Sequence, residues 1–154
     1  MPKNGRIVSV GVDRFMEISK ISLMIDEAMR NILLPRDMGL YRMMGYHLGW
    51  EDQLGQPVSS QPQILYRGVT CVMACSILGG AVESAMPPAV AVELIECFCQ
   101  VHDDVQSGNP KRDGRDAVWW TWGPAQAINA GDGLYALARV SLMQLADLGI
   151  DPEI

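Results

Sequence analysis

The chain has 154 residues, 49% hydrophobic and 19% charged, which is enough apolar material for one packed interior and too little charge for a disordered chain. Twelve Lys and Arg against eighteen Asp and Glu leave a formal charge of −6, which argues against a non-specific nucleic-acid binder. No apolar run reaches the ~18 residues needed to cross a bilayer, and no secretory signal with an apolar stretch of roughly 7–15 residues opens the chain, so a cytoplasmic protein without a membrane span is expected.

In chain order, Phe15, Ile18, Ile25, Met29 and Ile32 recur at helical spacing between Asp13, a candidate cap, and Leu34, with Pro35 beyond. Arg6–Val12 is the one candidate strand. A shorter helix is expected from Gly39 to Leu48, then a loop to Pro62 marked by Gly55, Pro57, Ser59 and Ser60. Ile64–Leu78 is apolar and rich in small residues, and Gly79-Gly80 closes it. Pro87-Pro88 opens the next helix, which Ser107-Gly108-Asn109-Pro110 breaks near Gln106. A polar stretch, Lys111–Asp116, leads to Trp119, Trp120 and Trp122, which either wall an apolar channel or anchor a helix to the core. The last helix fills Pro124–Leu148, and Gly149 is placed to cap it.

The reading is an all-α single domain over residues 1–154, with five or so helices in a bundle. Several helices are apolar over more than one stripe, which suggests a further layer or a partner subunit. Gly131 and Gly133 inside the last helix each cost about 1 kcal/mol relative to Ala, so close helix packing or an oligomer contact is expected there. Cys71, Cys75, Cys97 and Cys99 lie in apolar helical patterns and read as core thiols; with His102 they lack the paired spacing of a structural zinc site.

The stretch that carries chemistry is Glu96–Arg115. Asp103 and Asp104 stand at the C-terminal end of an apolar helix, where negative charge opposes the helix dipole at roughly a few tenths to 1 kcal/mol each unless a cation is near. Mg²⁺ would relieve this, because it takes one or two carboxylates and fills its shell with water and substrate phosphates. Lys111 and Arg112 in the following loop would hold those phosphates. The plainer alternative is a solvated helix end neutralised by the basic loop.

These residues resemble the trans-isoprenyl diphosphate synthases, or polyprenyl synthetases. The similarity lies in His102-Asp103-Asp104, in Arg112-Asp113-Gly114-Arg115, in Asn129-Ala130-Gly131-Asp132-Gly133-Leu134 and in the helix with the double glycine Gly79-Gly80. It covers the chain from about Gln63 onward, and more weakly Tyr46–Trp50. The resemblance implies the first half of the isoprenoid synthase fold. It also implies Mg²⁺ at Asp103 and Asp104, and an isoprenoid diphosphate held by Arg67, Lys111 and Arg112. No catalytic residue is assigned.

Departures accompany the matches. Ser107 and Asn109 stand where the family's third aspartate falls, Asp113 replaces its second arginine, and of its diphosphate-gripping Gly-Lys-Arg-x-Arg-Pro segment only Arg67 survives within Gln63–Gly68. The family's second aspartate-rich motif lies in a chain about twice this long. The expectation is therefore a prenyltransferase-like protein acting as a homo-oligomer or with a partner subunit that carries that motif, where Mg-assisted ionisation of an allylic diphosphate then takes place. A non-catalytic subunit of a full synthase and a repurposed terpene cyclase are the alternatives.

Overall fold

The computed structural model describes residues 4–33, 38–59 and 63–150, with side chains from Met16 onward. Six α-helices dominate: α1 (Asn4–Leu33), α2 (Gly39–His47), α3 (Tyr66–Ile77), α4 (Val82–Ser107), α5 (Val118–Trp122) and α6 (Pro124–Met143). Two-residue strands β1 (Lys111–Arg112) and β2 (Arg115–Asp116) pair antiparallel between α4 and α5. A single 3₁₀ turn, Ala146–Leu148, follows α6 and ends at Gly149 in the left-handed conformation, φ 74°. The fold is all-α, as expected from the helical periodicity.

Three boundaries differ from the sequence expectation. Arg6–Val12 belongs to α1, so Asp13 lies inside that helix rather than at its start. A lone alternating segment has no second strand to take its backbone groups, whereas a helix satisfies them internally. Helix α4 begins at Val82, five residues before Pro87, so both prolines sit in its second turn rather than at its start. The missing N–H groups leave carbonyls of the first turn without helical donors. The Pro87 carbonyl itself takes a hydrogen bond from the buried Ser141 Oγ of α6 at 2.9 Å. The last helix stops at Met143, not Leu148.

Helix α4 is the central element and packs against α6, α3, α1 and α5. Small residues are prominent among the buried positions of α4 and α6. Ala85, Ala89 and Ala91 of α4 and Ala127, Ala130 and Ala138 of α6 are buried, which lets the two backbones approach. Around them Ile25, Met29 and Leu33 of α1, Val72 of α3, Leu94 and Val101 of α4 and Leu134 of α6 complete the core. Burying a side chain of that size contributes roughly 1.5–3 kcal/mol. Of the four cysteines read as core thiols, Cys71, Cys75 and Cys97 pack against the core. Cys99 is exposed and the other three are half-buried, although burial still pushes the Cys97 thiol up to about 12.

Gly131 and Gly133 have the packing role inferred for them. A Cβ on Gly131 would run into the His102 ring of α4, and one on Gly133 would meet the terminal methyl of Met44 on α2. Gly131→Ala is accordingly expected to lose about 1–3 kcal/mol by overpacking, since the ring is held between helices. Gly133→Ala should lose less, because the Met44 terminus can swing aside and the substitution gains up to about 1 kcal/mol of helix propensity. Urea denaturation of both variants checks the order.

Candidate diphosphate and metal site

One face of α4 carries Glu93, Glu96, Gln100 and Asp104 at intervals of three or four residues, so a polar stripe runs down a helix packed on several sides. Each group on it has a partner. Glu93 Oε1 accepts from the Gly68 N–H at 2.7 Å, and burial raises the carboxyl's pKa. Gly68 is needed there, since a Cβ would lie 2.9 Å from Ile25 Cδ1 and 3.0 Å from the Ala89 carbonyl. Glu96 pairs with Arg67 at 3.0 Å and accepts from Gln100 Nε2 at 3.0 Å. The stripe ends at Asp104, whose side chain is 3% exposed.

Asp104 is held by Arg112 through both oxygens, Nε to Oδ2 at 2.7 Å and Nη2 to Oδ1 at 2.8 Å. This planar two-bond pairing is the strongest geometry open to a guanidinium and a carboxylate, and it raises the Arg112 pKa further. Arg112 reaches Asp104 because the hairpin folds back over the end of α4. Gly108 stops the helix in the left-handed conformation, φ 66°, and Asp113 and Gly114 turn the strands with φ 50° and 77°. Two positive φ values define the hairpin turn that Asp-Gly favours, so Asp113 is well suited to the corner it occupies.

The residues expected to act together are thus partly joined. Asp104 and Arg112 form one pair. Asp103 lies next to it, exposed, and its carboxylate makes no hydrogen bond or ion pair among the described residues. Lys111 is turned to Asp116 across the hairpin at 2.6 Å. Arg67 is the second residue of α3 and 54% exposed, joined to the aspartate end through Glu96 and Gln100, whose backbone carbonyl accepts from Arg112 at 3.4 Å. Ser107 Oγ, at the position of the missing carboxylate, donates to the Asp103 carbonyl at 2.7 Å.

The tryptophans divide between the two roles considered. Trp119 donates to the Asn109 carbonyl at 2.7 Å and Trp122 packs edge-on against Tyr46, so both anchor. Trp120 is 60% exposed. Neither His47 nor the pair Glu93 and Glu96 is among the residues expected at the site from the sequence. His47 stands beside the hairpin, where Arg115 donates to the Tyr46 carbonyl at 2.6 Å and to the His47 carbonyl at 3.0 Å. The spacing of Glu93, Glu96 and Gln100 was the available signal: three polar groups on one face of an apolar helix call for partners.

Among the described residues, no three His, Cys, Asp or Glu side chains gather into a metal-binding group. A hard cation that takes one or two carboxylates and completes its shell with water and phosphate does not require such a group. Asp103 fits that demand, being free and exposed; Asp104 fits it only by giving up Arg112.

Residues 56–152 match the polyprenyl synthetase family. The chain belongs to that family. It is 35% identical over 120 residues to a (2E,6E)-farnesyl diphosphate synthase of Mycobacterium tuberculosis, an alignment covering 78% of this chain and 33% of the relative. It is 32% identical over 123 residues to the small subunit of a heterodimeric geranylgeranyl pyrophosphate synthase of Arabidopsis thaliana, covering 79% of this chain and 34% of that one. The solved polyprenyl synthetase of Streptomyces coelicolor superposes with a TM-score of 0.65 at 36% identity over 78% of this chain and 38% of its own. The chain spans about a third of the length of the curated relatives it matches. Among the described residues, no helix is long and apolar enough to cross a membrane.

Burial, with the Arg112 charge second, pushes the His47 imidazole down to about 4 from 6.5. A depressed histidine pKa means that the unfolded chain takes up the proton first. The associated stability is present above pH 6.5 and is lost as the pH falls toward 4, up to about 3 kcal/mol. Replacing His47 by Gln should flatten the stability profile between pH 6.5 and 5, which denaturant titrations at several pH values measure.

Proposed function

We propose that this member of the polyprenyl synthetase family is an isoprenoid-diphosphate-binding, prenyltransferase-like component that works in an oligomer, with itself or with a subunit that carries a second aspartate-rich motif. The observation that supports this best is the division of labour at the end of α4. Arg112 is fixed on Asp104, which leaves the neighbouring Asp103 carboxylate bare at the surface. A bare carboxylate beside an anchored guanidinium presents the two charges that a Mg²⁺-diphosphate needs, one for the metal and one for the phosphate oxygens. When bound, Mg²⁺ would supply Lewis-acid stabilisation of the diphosphate leaving group.

The chain's own residues bind and orient. Asp103 would hold the metal edge, and Arg112 would face the phosphate with the donors that Asp104 leaves free. Lys111 would supply a mobile charge on release from Asp116, and Arg67 would add a more distant one.

A second reading is a non-catalytic subunit that shapes a partner synthase. Two observations favour it: Asp104, Lys111 and Arg67 are all engaged by partners within the chain, and one relative is a small subunit by name.

Calorimetry with an isoprenoid diphosphate separates the two. Asp103→Asn should weaken Mg²⁺-dependent binding about tenfold or more and change little without the metal, since the carboxylate acts through the cation. Ser107→Asp adds a carboxylate one turn from Asp103 on the same exposed face and should strengthen Mg²⁺-dependent binding. Equal affinity in wild type and both variants, independent of Mg²⁺, would replace the first reading with the second. Asp104 is a poor probe here, because its loss frees Arg112 and destabilises the end of α4.

A further inference from the structure

Helix α4 ends in a cap built on the left-handed Gly108, in which the Gly108 N–H donates to the Val105 carbonyl at 3.3 Å and the Asn109 N–H to the Asp104 carbonyl at 3.0 Å. This pair of bonds sets the side chain just past the glycine against a side chain of the last helical turn, a contact that is apolar in many helices. Here the two residues are Asn109 and Asp104. The Asn109 amide donates from Nδ2 to Asp104 Oδ1 at 3.4 Å, and its Oδ1 accepts from the Lys111 N–H at 3.4 Å. The backbone around Asn109 is held as well, because its carbonyl accepts from Trp119 Nε1 at 2.7 Å and Pro110 follows.

Asp104 is thus fixed by two neighbours, the Arg112 guanidinium on both oxygens and the Asn109 amide on Oδ1. A cavity of about 450 Å³ between α1, α4, the segment Gln63–Arg67 and the hairpin reaches Gln100, Asp113 and Arg115 but stops a turn short of Asp104, so the hold on this carboxylate is set from the cap side. A carboxylate at position 109 has no hydrogen to give Asp104. It would also bring a like charge to Asp104 and offer Arg112 a competing acceptor, where Asp103 and Asp113 already act on the same guanidinium. His47 is uncharged at neutral pH and Lys111 Nζ is turned to Asp116, so neither offsets the added charge.

We infer that Asn109 is a positioning residue for the diphosphate site, a neutral donor that keeps Asp104 on Arg112, and that a carboxylate at this position loosens the pair instead of adding a ligand for the metal. What the site binds rests on the proposed function; the state of the pair does not.

Two measurements test this. With isotope-labelled arginine, the Arg112 Nε–H resonance, assigned by its loss in Arg112→Lys, reports the two-bond pairing in buffer without metal or ligand. Asn109→Asp should move that resonance toward the position of an unpaired arginine and speed its exchange with water. Asn109→Ala, which removes the donor and adds no charge, should move it in the same direction by less. In calorimetry with inorganic pyrophosphate and Mg²⁺, Asn109→Asp should bind about tenfold more weakly than wild type, the scale of an added like charge at a partly exposed site. Ser107→Asp, which adds the same charge on the open face, should bind more tightly. An Arg112 resonance unmoved by either substitution at position 109, or Asn109→Asp binding as tightly as wild type or more so, would overturn the inference. If wild type binds no pyrophosphate, the proposed function fails and the Arg112 resonance still decides the role of Asn109; if that resonance is indifferent to position 109, the titration of Asp103→Asn with an isoprenoid diphosphate is unaffected.

Discussion

A helix packed on several sides must satisfy every charge it carries, and α4 carries a row of them. Leaving a buried carboxylate unpaired costs several kcal/mol, far more than a surface ion pair returns. That constraint organises the molecule around the stripe Glu93, Glu96, Gln100 and Asp104. Helix α3 approaches closely enough for the Gly68 N–H to reach Glu93 only because Gly68 has no side chain. Arg67, the preceding residue, then falls within reach of Glu96. At the far end the chain turns back at Gly108 so that Arg112 can cover Asp104. Breaking such a pair by removing one partner typically costs about 3–5 kcal/mol, so the hairpin is held by the same interaction that neutralises the helix end.

The hairpin also ties distant parts of the chain together. Arg115 donates to the carbonyls that end α2, its guanidinium lies 5.1 Å from the Tyr46 ring centre, and the Tyr46 hydroxyl donates to the Asp116 carbonyl at 2.8 Å. These contacts satisfy carbonyls at a helix terminus that would otherwise lack donors. They also fix where Asp113 stands relative to the cavity. The backbone requirement at that corner and the charge it imposes there are one and the same choice of residue: Asp tolerates the left-handed turn, and it brings a negative charge near Arg112 and His47.

Much of this was legible in the sequence, and the part that was not has a consistent cause. The helices showed because their apolar periods are long and their ends carry Gly and Pro. The Arg6–Val12 alternation misled because a period of two over seven residues is also compatible with a helix face whose small and polar residues happen to alternate. Pro87-Pro88 suggested a helix start because proline fits the first turn best, yet the structure accepts the prolines one turn later, where a buried serine on α6 bonds the Pro87 carbonyl. His102-Asp103-Asp104 and Arg112 were visible as a charged cluster. That Arg112 would choose Asp104 and leave Asp103 bare was not visible, since it depends on which of two adjacent residues faces the packed side of α4. Adjacent helical positions point about 100° apart, and only the neighbouring helices decide which is buried.

The two ends of the stripe therefore differ in what they offer a ligand. At Asp103 the surface is open and charged, and the nearest cation is pre-positioned by a carboxylate that has itself been removed from solvent. In the adjoining cavity Arg30, Arg67 and Arg115 are paired with Asp26, with Glu96 and with the carbonyls that end α2. The two sites share Gln100, whose side chain is bound to Glu96 and whose backbone carbonyl accepts from Arg112. Drawing Arg112 toward a phosphate would reduce its hold on that carbonyl and on Asp104 together, which couples the charged end of α4 to the cavity wall through one backbone group.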